Sequence, residues 1–262
     1  MGKNIHVHIL TFCVNRSLFY GTELVFKTLR VGFPNAKVTV TDNASLPSVR
    51  AEIKAMAKDT GCFFKQIESN RIEHFQFIQD TIRYAAKDKS VTGPLVFIDP
   101  DVCFWNSCED FEFEGLMAGR FIDGFKDGVQ QCITMPRVHT SFLWIPDARS
   151  LQRYIWKTRA IHFDFDPFKN FSFVLDGLWY RYDTGANLYA SISDRVSHFT
   201  AMHLDCYDHL FGGSHIDVFE PFSQNEEIKI IKKIHECAKK GDLRALKGIH
   251  KRQETLFAEA RI

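Results

Sequence analysis

Two aspartates separated by one proline, Asp99-Pro100-Asp101, close the apolar run that begins in Gly93-Pro94-Leu95-Val96-Phe97-Ile98. Leu95 to Ile98 is continuously apolar, the pattern of an interior strand covered on both faces. Pro100 lacks an N–H and holds its own φ, so it ends the ladder there. Both carboxylates are then left at the carboxyl end of the strand, where open α/β sheets bind their ligands. Two hard oxygen donors this close suit a divalent cation such as Mg2+ or Mn2+. The plainer reading is a strand followed by an Asp-rich turn.

Three other stretches offer chemistry. In Thr11-Phe12-Cys13-Val14-Asn15-Arg16 a loop can present backbone groups to a planar base, and Arg16 can reach a phosphate. The alternative for Arg16 is a solvated residue at a helix start. In Val40-Thr41-Asp42-Asn43-Ala44-Ser45 an acid just past a strand can accept from a ribose hydroxyl or a base N–H, although Asx residues also make ordinary turns. The segment from His198 to His215 holds His198, His203, His209 and His215, with Gly212-Gly213-Ser214 near its end. One of these histidines beside a glycine pair can ligate a metal; a lone histidine is more often structural.

Several classes are disfavoured by what the chain lacks. No GxGxxG follows the first strand and no GxxxxGK[ST] is present, which weighs against a dinucleotide-binding Rossmann domain and a P-loop. The seven cysteines show no CxxC spacing, and Cys103 and Cys108 have no second pair to complete a zinc site. This usage predicts a reducing, cytoplasmic setting. Met1-Gly2-Lys3-Asn4 leads straight into a strand-like pattern with no visible signal peptide, and His6 spoils a myristoylation site. No apolar run is long enough for a transmembrane helix. A net charge of +1 gives no global pull toward polyanions.

The elements that must position these residues alternate strand and helix. Ile5, Val7 and Ile9 begin a strand that continues apolar to Cys13. Ser17 can cap a helix with Leu18, Val25, Phe26 and Leu29 on its buried stripe, ended by Gly32 and Pro34. Lys37 to Thr41 reads as the second strand. Pro47 opens a helix with Val49, Ile53 and Met56 on one face, and Gly61 closes it. Cys62 to Ile67 is a third strand, Ile72 to Ala86 a third helix, and the run before Asp99 the fourth strand. Such alternation implies parallel pairing and right-handed crossovers.

The second half is less regular. The pattern predicts a strand over Val138 to Ile145, a helix around Leu151 to Lys157 and an aromatic, acidic loop from Phe163 to Phe173. It predicts a helix from Val174 to Ser191 interrupted near Gly185, and a strand over Ser197 to Leu204. On that helix Asp176 and Asp183, seven apart, share a face. From Glu226 on, two charged helices broken at Gly241-Asp242 hold ten Lys and Arg against six Asp and Glu. The expected layout is a main domain over residues 1–220 and a C-terminal helical extension over 221–262. The 25 phenylalanines predict a bulky aromatic core and fit an apolar cleft. Trp144, Trp156, Trp179 and Tyr180 can stack on sugar faces but are more often core.

Taken together, these residues resemble the GT-A-fold glycosyltransferases, the nucleotide-diphospho-sugar transferases. Val40 to Ser45 is similar to the uridine-binding end of their second strand, and Val96-Phe97-Ile98-Asp99-Pro100-Asp101-Val102 to their DxD motif. Arg137-Val138-His139-Thr140-Ser141-Phe142-Leu143-Trp144-Ile145 resembles the strand that borders the sugar pocket. Tyr182-Asp183-Thr184-Gly185 and His209-Leu210-Phe211-Gly212-Gly213-Ser214 resemble later segments of small bacterial and phage members. The likeness covers about residues 4–215.

The resemblance implies an α/β fold with a mostly parallel, Rossmann-like central sheet flanked by helices. It implies Mn2+ or Mg2+ held by Asp99, Asp101 and a late histidine against the diphosphate of a sugar nucleotide, with UDP-sugars first among donors. Asp99 would also touch the ribose; His209, which precedes the glycine turn, is the third ligand, with His203 and His215 as alternatives. Thr11, Asn15, Arg16, Asp42 and Asn43 would bind the nucleoside end, and His139 and Thr140 the sugar. Asp183, then Asp176, is the candidate catalytic carboxylate, with a surface or capping role as the alternative. The acceptor would be a glycan, a small molecule or modified DNA. A phage-type enzyme acting on hydroxymethylated bases is one alternative. A non-catalytic sugar-nucleotide or glycan-binding protein is another, against which the paired aspartates argue.

Overall fold

The computed structural model describes residues 4–67, 71–127, 132–158, 166–210 and 226–248 of the chain. It is a mixed α/β fold with a largely parallel seven-stranded central sheet flanked by helices. Along the chain run β1 (His6–Thr11), α1 (Phe19–Gly32), β2 (Lys37–Asp42), α2 (Pro47–Asp59), β3 (Phe63–Gln66), α3 (His74–Lys87) and β4 (Leu95–Ile98). Next come β5 (Val102–Phe104), β6 (Met117–Ile122), β7 (Phe125–Asp127), β8 (Cys132–Thr134), β9 (Arg137–Ile145) and α4 (Ala148–Lys157). The last described elements are β10 (Phe171–Leu175), β11 (Leu178–Tyr182), α5 (Ala186–Ile192), β12 (Val196–His198), α6 (Ala201–Leu204), β13 (Tyr207–His209) and α7 (Glu226–Lys239). The central sheet has the order β12-β6-β9-β4-β1-β2-β3; β10-β11-β8-β7 and β13-β5 form two smaller sheets.

The chain divides into two compact units. The first comprises Met1–His8, Arg71–Ile98 and Phe111–Thr200. In it β4 is buried at all four residues, as the apolar run predicts, and pairs antiparallel with β9. Its core is aromatic: Phe113 stacks on Phe199 with ring centres 5.3 Å apart, and Phe111 packs against Trp144 at 5.9 Å. The second unit comprises Ile9–Asn70, Asp99–Asp110 and Ala201–Ile262. There α1 and α2 bury Leu24, Val25, Leu29 and Ile53, β2 and β3 pair in parallel, and the β5–β13 ribbon is seated by α1.

Three expectations are corrected. The segment read as a helix from Val174 is the β10–β11 hairpin, and the helix, α5, begins only at Ala186. Asp176 and Asp183 therefore share no helical face. Asp176-Gly177 forms the turn, both residues with left-handed φ (51° and 75°), the geometry that lets a two-residue connection follow the twist of its strands. The expected strand over Ser197 to Leu204 is a short strand, β12, followed by one turn of helix, α6. The first helix is capped by Asn15, whose side chain accepts from the Ser17 N–H, with a 3-10 turn over Arg16–Leu18 leading into α1. Past α7, Gly241 and Asp242 do break the helix, and a 3-10 turn over Leu243–Leu246 follows. Residues 163–165 of the expected loop, and everything after Gly248, lie outside the described residues. Among the described residues no helix is long and apolar enough to cross a membrane.

Candidate metal site at the Asp-Pro-Asp turn

β4 ends at Ile98 and β5 begins at Val102, so Asp99, Pro100 and Asp101 form the link, with the proline where the ladder stops. Backbone bonds within the second unit fix this link. The Val25 N–H of α1 donates to the Pro100 carbonyl (3.0 Å), Val102 N–H to the Asp99 carbonyl (3.3 Å) and Leu210 N–H to the Asp101 carbonyl (2.9 Å). The Phe104 N–H donates to Thr28 Oγ1 at 2.9 Å and holds β5 on α1.

β13 runs antiparallel to β5 and sets His209 opposite Val102, one residue past Asp101. Asp101 Oδ1 and His209 Nε2 are 3.1 Å apart, and both side chains are almost wholly buried. One ligand atom each from Asp99, Asp101 and His209 lies within 4.8 Å of the others. Two carboxylate oxygens and one imidazole nitrogen form a donor set suited to Mn2+ or Mg2+. Neighbouring donors on an octahedral ion with bonds of about 2.1 Å stand about 3 Å apart, close to the Asp101–His209 spacing. The same spacing also suits a direct histidine–carboxylate hydrogen bond. Burial, then the negative charges of Asp208 and Asp101, push the nearby Cys103 thiol up to about 12, so it stays protonated and adds no thiolate. His203 sits half-buried on α6, its pKa lowered by burial, and is not in the cluster. His215 and Gly212-Gly213-Ser214 lie outside the described residues.

The loops after β1 and β2 are stitched together in the same unit. Asn43 N–H donates to the Thr11 carbonyl (2.8 Å) and Leu46 N–H to the Cys13 carbonyl (3.0 Å), while Cys13 N–H donates to Ser45 Oγ (3.0 Å). Asp42 is fully buried. Its Oδ2 accepts from Arg50 Nε at 2.7 Å and, more loosely, from the Ser45 N–H at 3.4 Å; Thr11 Oγ1 lies 3.5 Å from Oδ1. Arg50 also reaches the Ser45 carbonyl at 2.9 Å. Asn15 is exposed at its cap, and Arg16 is exposed against Glu52, its guanidinium 4.9 Å from the Phe19 ring centre.

The remaining expected residues belong to the first unit. His139 Nδ1 is 2.7 Å from Ser141 Oγ, and Thr140 is buried. Asp183 accepts from Arg137 at 3.0 Å, has Arg181 at 3.9 Å and takes the Thr184 N–H at 2.9 Å. Asp176 is at the exposed hairpin turn. Trp144 is core, whereas Trp156 and Trp179 are exposed.

No family model matches the chain, and the search of curated proteins returns no match. Solved structures do match. The glycosyltransferase GlyE of Streptococcus pneumoniae TIGR4 is 11% identical over 87% of this chain and 52% of its own, at a TM-score of 0.44. This chain thus spans about half the length of GlyE. The mannosyltransferase PcManGT of Pyrobaculum calidifontis, solved with GDP-Man and Mn2+, is 12% identical over 99% of this chain and 73% of its own, at 0.47. The galactosyltransferase LgtC, solved with donor and acceptor sugar analogues, is 11% identical over 75% and 73%, at 0.42. These matches are all glycosyltransferases. At such identities, what this chain does has to be read from its own residues.

Two residues of this region escape a reading of the sequence. Arg50 follows Pro47 in the first turn of α2, and only the fold brings it to Asp42. Asp208 is buried beside His209 and is bonded to residues far along the chain. A buried acid next to a candidate ligand histidine leaves no local pattern to find.

Proposed function

We propose that the chain is a metal-dependent glycosyltransferase that moves a sugar from a nucleotide-diphosphate sugar, a UDP-sugar in the first instance, to an acceptor hydroxyl. The observation that supports this most is the convergence of Asp99 and Asp101, from the link that leads into β5, with His209, from the β13 strand paired to it, on a space of metal-site size. When bound there, Mn2+ or Mg2+ supplies Lewis-acid stabilisation of the charge that builds on a leaving diphosphate.

The chain's own residues do the rest of the holding. Asp99, less buried than Asp101, would meet a ribose hydroxyl as well as the ion. Asp42, fully buried, holds Arg50 and the Ser45 N–H and so shapes the loop that would meet the nucleoside end. Thr11 and Asn43, bonded across the two loops, keep that end in register, and Asn15 sets the turn that presents Arg16. The exposed Arg16–Glu52 pair is of the weak kind that exchanges readily for a phosphate. His139 and Thr140 keep the sugar-side role, and Asp183 and Asp176 the catalytic one, that the resemblance implies.

The test is turnover of a panel of sugar nucleotides with Mn2+, offering glycans, small alcohols and hydroxymethylated DNA as acceptors and reading the released nucleoside diphosphate. One donor should be consumed with Mn2+ and not in EDTA. Asp101→Asn should lower the rate by about 100-fold or more with the fold intact by circular dichroism. Equal donor affinity in EDTA by calorimetry, or an unchanged rate in Asp101→Asn, ends this reading.

A further inference from the structure

The side chains of β13 alternate between the two faces of its ribbon. His209 turns toward Asp101, so Asp208 turns to the opposite face, where it is 2% exposed. A single oxygen of its carboxylate, Oδ2, accepts from Trp105 Nε1 at 2.7 Å and from the Gly248 N–H at 2.6 Å. Trp105 directly follows β5, and its own N–H donates to the Cys206 carbonyl at 2.8 Å. Gly248 follows the Leu243–Leu246 turn, whose Leu246 is buried, and Lys247 Nζ stands 6.0 Å from the Trp105 ring centre. The preceding helix is fastened too: His235 of α7 is buried with Nδ1 2.5 Å from the Tyr20 hydroxyl of α1. One carboxylate thus joins the end of β5, the middle of β13 and a backbone N–H forty residues further on.

The separation of Asp101 from His209 depends on how β13 lies on β5, since Asp101 immediately precedes β5 and His209 ends β13, in a ribbon only three residues long on each side. Three pairs give little cooperative resistance to slipping or fraying, so a tie on the far face has leverage over the near one. We propose that Asp208 is a positioning residue: by latching the 243–248 segment onto the β5–β13 ribbon, it fixes His209 against Asp101 and so sets the metal affinity. The inference rests on the metal-site reading above. It makes the 243–248 segment part of the site's support.

Titration of Mn2+ alone into the full chain, followed by the electron paramagnetic resonance of the free ion well below the unfolding temperature, tests it. Supports of metal ligands are worth about 10–100-fold in affinity. Asp208→Ala should weaken Mn2+ about tenfold, while Asp208→Asn, whose amide oxygen can take the place of Oδ2, should stay near the wild type. Trp105→Phe, which keeps the ring and loses the donor, should weaken it in the same direction. That substitution should cost affinity in the wild type and almost none in the Asp208→Ala background, because the two changes break one interaction. Should Asp208→Ala fail to fold, Trp105→Phe carries the same test. Wild-type Mn2+ affinity in Asp208→Ala or Trp105→Phe, with only a lowered melting temperature, overturns the latch and leaves the metal site standing. A wild-type chain that binds no Mn2+, or an Asp101→Asn chain that binds it equally well, overturns both.

Discussion

At Cys206 a hydrogen bond with the Cys108 thiol outweighs partial burial and brings the pKa down from the ordinary thiol value to about 7. Burial, foremost, pushes Cys108 itself far up, and Cys103 up to about 12. The nucleophile is the thiolate, so these cysteines should differ sharply in reactivity. Iodoacetamide at neutral pH should label Cys206 ahead of Cys103 and Cys108, read by peptide mass spectrometry. The rate should climb about tenfold per pH unit below 7 and level off above it. Cys108→Ala should move that midpoint up toward the ordinary thiol value; an unmoved midpoint would remove the hydrogen bond as the cause. Legibility at this scale followed locality. Asp99 and Asp101 could be read because an apolar strand and a proline announce where their carboxylates must sit. Choosing His209 over His203 rested on a following glycine pair, yet what brings it to Asp101 is the β13–β5 register, a pairing across a hundred residues. Asp42 could be read as an acid after a strand, but its Arg50 partner could not.

Elements with a full period were legible and the short ones were not. β1 to β4 and α1 to α3 alternate with enough turns for their apolar spacing to speak. The β5 and β13 strands, three residues each, show no period at all. The β10–β11 hairpin was misread because an apolar run suits a helix or a strand, although Asp176-Gly177 between alternating aromatics was the deciding signal. On α1, Gly32 reports how closely the helix meets β5. A Cβ there would stand 2.4 Å from Phe104 Cγ, and Phe104 is fully buried with its ring 5.3 Å from that of Phe33. Two effects oppose one another in Gly32→Ala. Alanine is the better helix former by about 0.5–1 kcal/mol. Overpacking a filled core costs about 1–3 kcal/mol. The clash should win, because Phe104 has no free direction to yield. Urea unfolding should therefore show a net loss of about 1–2 kcal/mol, and a gain in stability would mean that helix and strand do not approach this closely.

For the molecule as a whole, the exposed edge of the β10-β11-β8-β7 sheet matters more than its charge. β10, Phe171 to Leu175, has no charged residue and no proline, and it ends the strand order among the described residues. Val174 is 69% exposed and Leu175 54%, with Leu178 and Trp179 exposed across the turn. Edge strands are ordinarily kept from pairing by a lysine, a proline, a bulge or a cover. Among the described residues none is present on β10. A net charge of +1 supplies little repulsion between molecules to compensate. The chain should therefore associate as its concentration rises, through the outward N–H and C=O groups of this strand, unpaired among the described residues, and the apolar side chains on both of its faces. Val174→Lys places a charge on the edge and removes the most exposed apolar group there, at the expense of its cross-strand contact with Trp179. Because Val174 is already mostly in water, that loss should be small, within about 1 kcal/mol. Sedimentation velocity over a concentration series should show the larger species receding in Val174→Lys while the melting temperature barely moves. Association that persists unchanged in that variant would locate the sticky surface elsewhere, since a lysine on an edge strand opposes its pairing with another strand.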